Sequence, residues 1–340
     1  MLLPLPTPNR NRTPARSVTT IMRSTLAILV LICCSAGAIL TNGGRRTERT
    51  ASITWSHDLP TAERLSRDSG KPILWLEDED DRGVFDRALS HPIALDAAAT
   101  LFTPLVTSAG ASDTPTIRFV DADGHELSPN SSDELTTAVL LKRMVVALQT
   151  AHQNVPAYLQ LVADEYNPAS PQSATFAVGC YWEGEREIGK LPGVVATRTG
   201  TLNGDEVVQV DYDASRVGYA DLLRQVGSMQ CFRSTVVPGA AAFQASDVQQ
   251  FTLAQHPEYW YLPLTALQAT KLNSLLSQPG NADPDELLSP TQRAMHAQLR
   301  DIISRGNDGM LQKLSVDRSV DGLAAYSQTV RRMIAQFAGQ

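Results

Sequence analysis

One cysteine stands where an apolar run gives way to a polar one. Ala174-Thr-Phe-Ala-Val178 ends in Gly179, and Cys180, Tyr181, Trp182, Glu183, Gly184 and Glu185 follow. A short apolar run of this kind reads as a buried strand, and the stretch after it as the start of a helix. A thiol at a helix N-terminus faces the positive end of the backbone dipole, which favours the nucleophilic thiolate. The pattern therefore describes a reactive cysteine. The plainer use of a cysteine at a strand end is as a small buried hydrophobe. Glu183 and Glu185 read as first-turn carboxylates that the helix dipole favours.

Gly179-Cys180-Tyr181-Trp182 resembles the nucleophile motif of peptide methionine sulfoxide reductase A, a Gly-Cys-Phe-Trp stretch after a strand. Further blocks keep the family's order: Leu191–Gly200, Glu206-Val-Val-Gln-Val-Asp-Tyr-Asp213, Val217–Leu223, then Leu262-Pro-Leu-Thr265 with Gln268. They span roughly a third of the chain. The resemblance implies a ferredoxin-like α+β sandwich over residues 173–278 and reduction of methionine-S-sulfoxide in peptides or proteins. It makes Cys180 the nucleophile, oxidised to a sulfenic acid as the substrate is reduced. It makes Tyr181 and Trp182 the cup for the substrate methyl group and soft sulfur. Glu206 falls at the family's acid position, and burial beside aromatic rings would keep such a carboxyl protonated near neutral pH. Glu185 also sits where the family has an acid.

The chain departs from the family in places. Thr201–Asp205 replaces a longer loop that carries a tyrosine. Ser228-Met-Gln-Cys231 stands where the family has Asn-His-Asp, and no recycling cysteines occupy a C-terminal tail. The family's later Asp and Tyr have no clear counterparts, although His256, Tyr259 and Tyr261 lie nearby. Cys231 fits a resolving cysteine. A sulfenic acid condenses with a nearby thiol, and a thioredoxin-type reductant would open the resulting Cys180–Cys231 disulfide. A buried free thiol or a structural disulfide is the other use of Cys231. Two functions stay open: an enzyme that needs no bound cofactor and no metal, or an exported scaffold that no longer turns over.

The elements that must position these residues belong to a chain of 340 residues, long enough for two ordinary domains. Residues 1–38 read as a signal peptide, with an apolar run Leu26–Ser35 and a small-x-small site at Ala36-Gly37-Ala38. Met22 is an alternative start. The apolar run is short for a membrane span, so membrane contact is expected only if the segment stays as an anchor. Two of the four cysteines lie in it, which excludes a disulfide-rich scaffold. The net charge of −7 becomes −11 when its four arginines leave. That balance excludes nucleic acid as a partner. An exported, periplasmic or otherwise extracytoplasmic location follows from the leader.

Residues 39–51 read as a linker, and residues 52–150 as a first domain. Its helix at Pro60–Ser69, strand at Lys71–Leu76, helix at Val84–Leu89, Thr114-Pro115-Thr before a strand, Asp-Ala-Asp-Gly124 turn and closing helix at Leu135–Ala151 resemble a thioredoxin-like α/β domain. The resemblance implies a cis bond before Pro115. No Cys-x-x-Cys is present: Arg82 and Phe85 stand for the two thiols, so the module is redox-inert. The acidic run Glu77–Asp81 reads as a solvated loop, and no cysteine–histidine spacing suggests zinc. Asn167–Gln172 reads as the interdomain linker. Beyond a break at Gly280–Pro284, residues 286–338 form a helical extension, opened by a Ser289–Gln292 capping box with Pro290 in the first turn.

Overall fold

The computed structural model describes residues 53–77, 83–108, 116–129, 135–236, 242–278, 280, 282–319 and 322–337. All belong to one unit, Arg46–Gln340. The expected leader, the linker at 39–51, Arg82, most of the acidic run and Pro115 lie outside the described residues.

Asp58 starts α1 (Leu59–Ser69) by accepting the Thr61 amide at 2.9 Å, and Gly70 ends it in the left-handed region. Then come β1 (Ile73–Glu77), α2 (Gly83–Ala88), α3 (Pro92–Leu101), β2 (Thr103–Thr107), β3 (Thr116–Val120), α4 (Thr137–Thr150) and α5 (Ala157–Tyr166). β1 is the central strand, parallel to β2 and antiparallel to β3. The first core gathers Leu74, Phe102, Phe119, Leu141, Met144 and Tyr158, and it takes in Phe85. It therefore continues past α4 into α5. After β3, Asp121 closes the expected turn by accepting the Asp123 and His125 amides, both at 2.9 Å.

The second sheet is built from β4 (Pro171–Val178), α6 (Tyr181–Gly189), β5 (Val194–Leu202), β6 (Asp205–Asp213), α7 (Tyr219–Gly227) and β7 (Phe232–Thr235), with β8 (Gln244–Ala245) on one edge. The strand order is β7-β4-β6-β5-β8 and every pairing is antiparallel. The βαββαβ sequence with its first strand beside its third is the ferredoxin-like arrangement. Asn203 and Gly204, both at positive φ, make the tight β5–β6 turn. Phe176, Val178, Val208, Val210 and Tyr212 cover one face of the sheet and meet Ile188, Leu222 and Val226 from the helices. Helix α6 rests directly on that face. A Cβ on Gly184 would lie 3.0 Å from Val178 and 3.1 Å from Val208, so only glycine fits without displacement.

Five more helices complete the fold: α8 (Phe251–Ala254), α9 (Pro257–Trp260), α10 (Ala266–Leu275), α11 (Pro290–Ser304) and α12 (Leu323–Phe337). Their core holds Leu253, Leu262, Leu272, Met295, Leu299 and Val330. Helices α10 and α11 both open with complete capping boxes, Thr265 with Gln268 and Ser289 with Gln292. The two buried glutamines also bond to each other, amide to amide, at 3.0 Å in both directions. These helices tie the two sheets together. Lys271 of α10 donates to the Gly189 and Leu191 carbonyls at the end of α6, at 2.7 and 2.9 Å. Asp96 of α3 accepts the Thr291 amide and hydroxyl, both at 2.9 Å. Among the described residues, no helix is long and apolar enough to cross a membrane.

Candidate active site

β4 ends at Val178, and Cys180 is the N-cap residue of α6, its backbone extended at φ −146° and ψ 117°. Its side chain makes no capping hydrogen bond. The first free amides of α6 therefore need another acceptor. Glu206, at the start of β6, supplies it: its Oε2 accepts the Tyr181 N–H at 2.7 Å. Glu206 is thereby fixed at the amide of the residue that follows Cys180. Cys180 is half-buried.

Aromatic rings form one wall of this corner. Tyr181 and Trp182 meet edge to face, 5.4 Å apart at 81°. Behind them Phe251, the first residue of α8, stacks on the Trp182 indole at 4.1 Å and 13°. The Tyr181–Trp182 pair is therefore extended by a third ring, from a residue with no matching motif.

Cys231 lies in the turn between α7 and β7 rather than on the helix. Its carbonyl accepts the Gly179 N–H at 2.6 Å, which sets it beside the residue preceding Cys180. Cys231 is 4% exposed. Burial pushes its pKa up, and the charges of Glu183, Glu187 and Cys180 push it further. Both thiols are free. Arg233 of β7 covers Gly179, where a Cβ would meet its guanidinium at 2.6 Å.

Two expectations change here. Glu206 is half-buried, not sealed among the rings, because its carboxylate serves an amide at an open helix end. The fully buried acid of α6 is Glu185, at 0% exposure. It lies four residues from Tyr181 and three from Trp182, on the side of the helix that packs inward. Burial pushes its pKa up to about 8; the Gln250 and Phe251 amides, the Thr197 hydroxyl and Arg318 oppose the rise. None of these approaches closes a hydrogen bond to either carboxyl oxygen. Glu185 is therefore a protonated interior acid at neutral pH, not a first-turn surface charge.

Tyr259 and Tyr261 serve the helical core. The Tyr259 hydroxyl donates to Asp285 at 3.0 Å, and the Tyr261 carbonyl accepts from Tyr326 at 3.1 Å. His256 is the residue before α9, paired with Glu258 at 3.5 Å. Among the described residues, one group has the composition to hold a metal: Asp121, Asp123 and His125, in the β3 turn. The Asp121 oxygens are already taken by that turn, including a 2.9 Å contact with His125 Nδ1, and the turn accounts for the cluster.

No protein-family model matches the chain. Curated proteins named peptide methionine sulfoxide reductase MsrA do resemble it. One from Salinispora arenicola is 31% identical over 115 residues, covering 25% of this chain and 52% of the relative. One from Geobacter metallireducens is 39% identical over 70 residues, 16% of this chain and 43% of its own length. One from Leifsonia xyli is 33% identical over 90 residues, 23% and 50%. The chain spans about half the length of the curated relatives it matches. It contains an MsrA-like domain, and the mixed fold with its antiparallel sheet is consistent with the α+β architecture of that kind.

Proposed function

We propose that the protein reduces methionine-S-sulfoxide in peptides or proteins, with Cys180 as nucleophile. The Cys180 thiolate attacks the electrophilic sulfoxide sulfur while Glu206 protonates the sulfoxide oxygen, and the transient sulfur–sulfur bond then breaks as that oxygen passes to Cys180. The substrate sulfur gains two electrons and becomes a thioether. Cys180 loses two and carries the oxygen as a sulfenic acid. Tyr181, Trp182 and Phe251 give the methyl and thioether an apolar wall. The Cys231 thiol then displaces the oxygen as water, forming a Cys180–Cys231 disulfide. An external dithiol of the thioredoxin type restores both thiols by exchange.

One observation carries this reading: Glu206 accepts the amide of the residue next to Cys180. The carboxyl group assigned to the reaction is thereby tied to the helix end that carries the nucleophile. We read the first domain as a thioredoxin-like module without thiols that scaffolds the second, and the chain as exported.

The test incubates the full chain with a methionine-S-sulfoxide peptide and dithiothreitol, beside Cys180→Ser. Methionine formed by the parent and not by the variant supports the enzyme. Equal, background-level product from both would reject it.

A further inference from the structure

We infer that Arg318, on the coil leading into α12, is a positioning residue for the aromatic wall at Cys180: it holds Gln250, and through Gln250 it keeps Phe251 stacked on Trp182. The inference rests on the reading of Cys180 as the reaction centre.

Arg318 lies 68 residues along the chain from Gln250, yet its Nη1 donates to the Gln250 side-chain oxygen. The guanidinium also lies 4.6 Å over the Trp260 ring. Its Nε and Nη2 are buried without hydrogen-bond partners. An always-charged group is costly to take out of water, so the few partners it keeps inside fix its place closely. Those partners are the Gln250 side-chain oxygen and the indole face of Trp260.

Gln250 needs such a hold. It is in the left-handed region, at φ 51° and ψ 58°, where a residue other than glycine stays only if its surroundings enforce it. It is also the N-cap residue of α8, so its backbone sets the direction in which Phe251 leaves. The neighbouring Gln249 pins the same loop to β5, exchanging 2.8 Å hydrogen bonds with the Thr199 amide and carbonyl. Gln249 thus fixes where the loop runs, and Arg318 fixes the turn that aims the ring. Phe251 then meets Trp182 face to face, two residues from Cys180. The Trp182 Nε1 is itself buried without a partner, so no hydrogen bond aims the indole and the stacking must do so.

The test labels the full chain with 5-fluorotryptophan and follows the resonances of Trp55, Trp75, Trp182 and Trp260, assigned by single Trp→Phe changes. Arg318→Met keeps a long side chain over Trp260 and removes the donor; Arg318→Lys returns a charged donor. The Trp182 resonance is expected to move in Arg318→Met and to return towards the parent in Arg318→Lys, with Trp55 and Trp75 unmoved. The KM for a methionine-S-sulfoxide peptide should rise about tenfold in Arg318→Met with kcat changed less than about twofold, the pattern of lost binding alone. If Arg318→Met does not fold, Gln250→Gly cuts the same link while suiting the left-handed backbone, and it should move Trp182 likewise. A Trp182 resonance that stays in place when the link is cut overturns the inference. If the parent reduces no sulfoxide, the functional reading falls, and the Trp182 resonance still decides the role of Arg318.

Discussion

Glu206 accepts the amide N–H of Tyr181 at 2.7 Å, and so stands in for the N-cap hydrogen bond that Cys180 does not make. One carboxyl oxygen supports the helix, and the proposed acid role would fall to the other. The two roles separate by substitution. Glu206→Gln keeps an acceptor for Tyr181 but cannot protonate an oxygen. It should lower kcat about 10²- to 10⁴-fold, the usual contribution of a general acid, with little change in melting temperature. Glu206→Ala should lose the same activity and also destabilise the fold by about 1 kcal/mol, as the loss of a cap does. Thermal melts alongside steady-state kinetics check both. A fully active Glu206→Gln protein would remove Glu206 from the chemistry.

The backbone bond between Gly179 and Cys231 sets a second expectation. One turnover without reductant should leave a Cys180–Cys231 disulfide, seen by mass spectrometry as a cross-linked peptide pair. Cys231→Ser should trap Cys180 as sulfenic acid, detected by dimedone labelling. Burial pushes the Cys231 thiol above its usual pKa, so disulfide formation should accelerate as pH rises through the alkaline range. No extra labelling in Cys231→Ser would reject its resolving role.

Much of this site can be read from residue types alone, and the parts that cannot share a physical cause. Cys180 is legible because a strand, a glycine and a polar helix start meet at it. The Ser289–Gln292 box is legible because its backbone chemistry is local. Helix α3 is not. Ile93, Ala94, Ala97 and Ala98 are buried and no polar face marks a period, so its run reads as featureless. Glu185 looks like its neighbour Glu183, and only the sheet beneath Gly184 shows which carboxylate turns inward. Phe251 and Arg318 reach the site from distant loops, and no spacing rule connects them to Cys180.

The reciprocal amide pair between Gln268 and Gln292 joins the starts of two buried helices. Each amide also donates to a carbonyl at 2.7 Å, Gln268 to Leu287 and Gln292 to Pro263. Gln292→Leu leaves the Pro263 carbonyl and part of the Gln268 amide unpaired in the interior, and should cost about 2 to 3 kcal/mol. Gln268→Leu should cost a similar amount. The double variant should cost less than the two together, because neither amide then lacks its partner. Urea unfolding of the four proteins measures that coupling, expected at about 1 kcal/mol or more. Strict additivity would mean that the pair contributes nothing beyond its separate bonds.

Glu185 should make the fold less stable as pH rises. Its pKa is about 8 in the folded chain, raised first by burial, against about 4.3 for an unperturbed glutamate. Between those values the folded state holds a proton that the unfolded state has released, so the free energy of unfolding falls with increasing pH. The contribution is complete below the unfolded value and is lost as pH passes through 8. Three other buried groups titrate nearby, and one of them, Lys271, lowered to about 8 by burial, acts oppositely because the folded chain releases a proton there that the unfolded chain keeps. Glu165, raised to about 7 by burial, acts with the same sign. His91, lowered to about 4 by burial, acts oppositely, because protonation of the unfolded chain reduces stability below its ordinary value of 6.5. Glu165 and Lys271 also titrate between about pH 7 and 8, so Glu185 is isolated there by the difference between parent and Glu185→Gln. Glu185→Gln preserves the volume and removes the titration. It should flatten the pH dependence of stability there and make the protein more stable than the parent at pH 8, by an amount on the order of 3 kcal/mol. Denaturant midpoints at pH 6, 7 and 8 for both proteins measure the difference. Parallel pH profiles for parent and variant would mean that Glu185 is already ionised inside the fold, with Arg318 as its counter-charge.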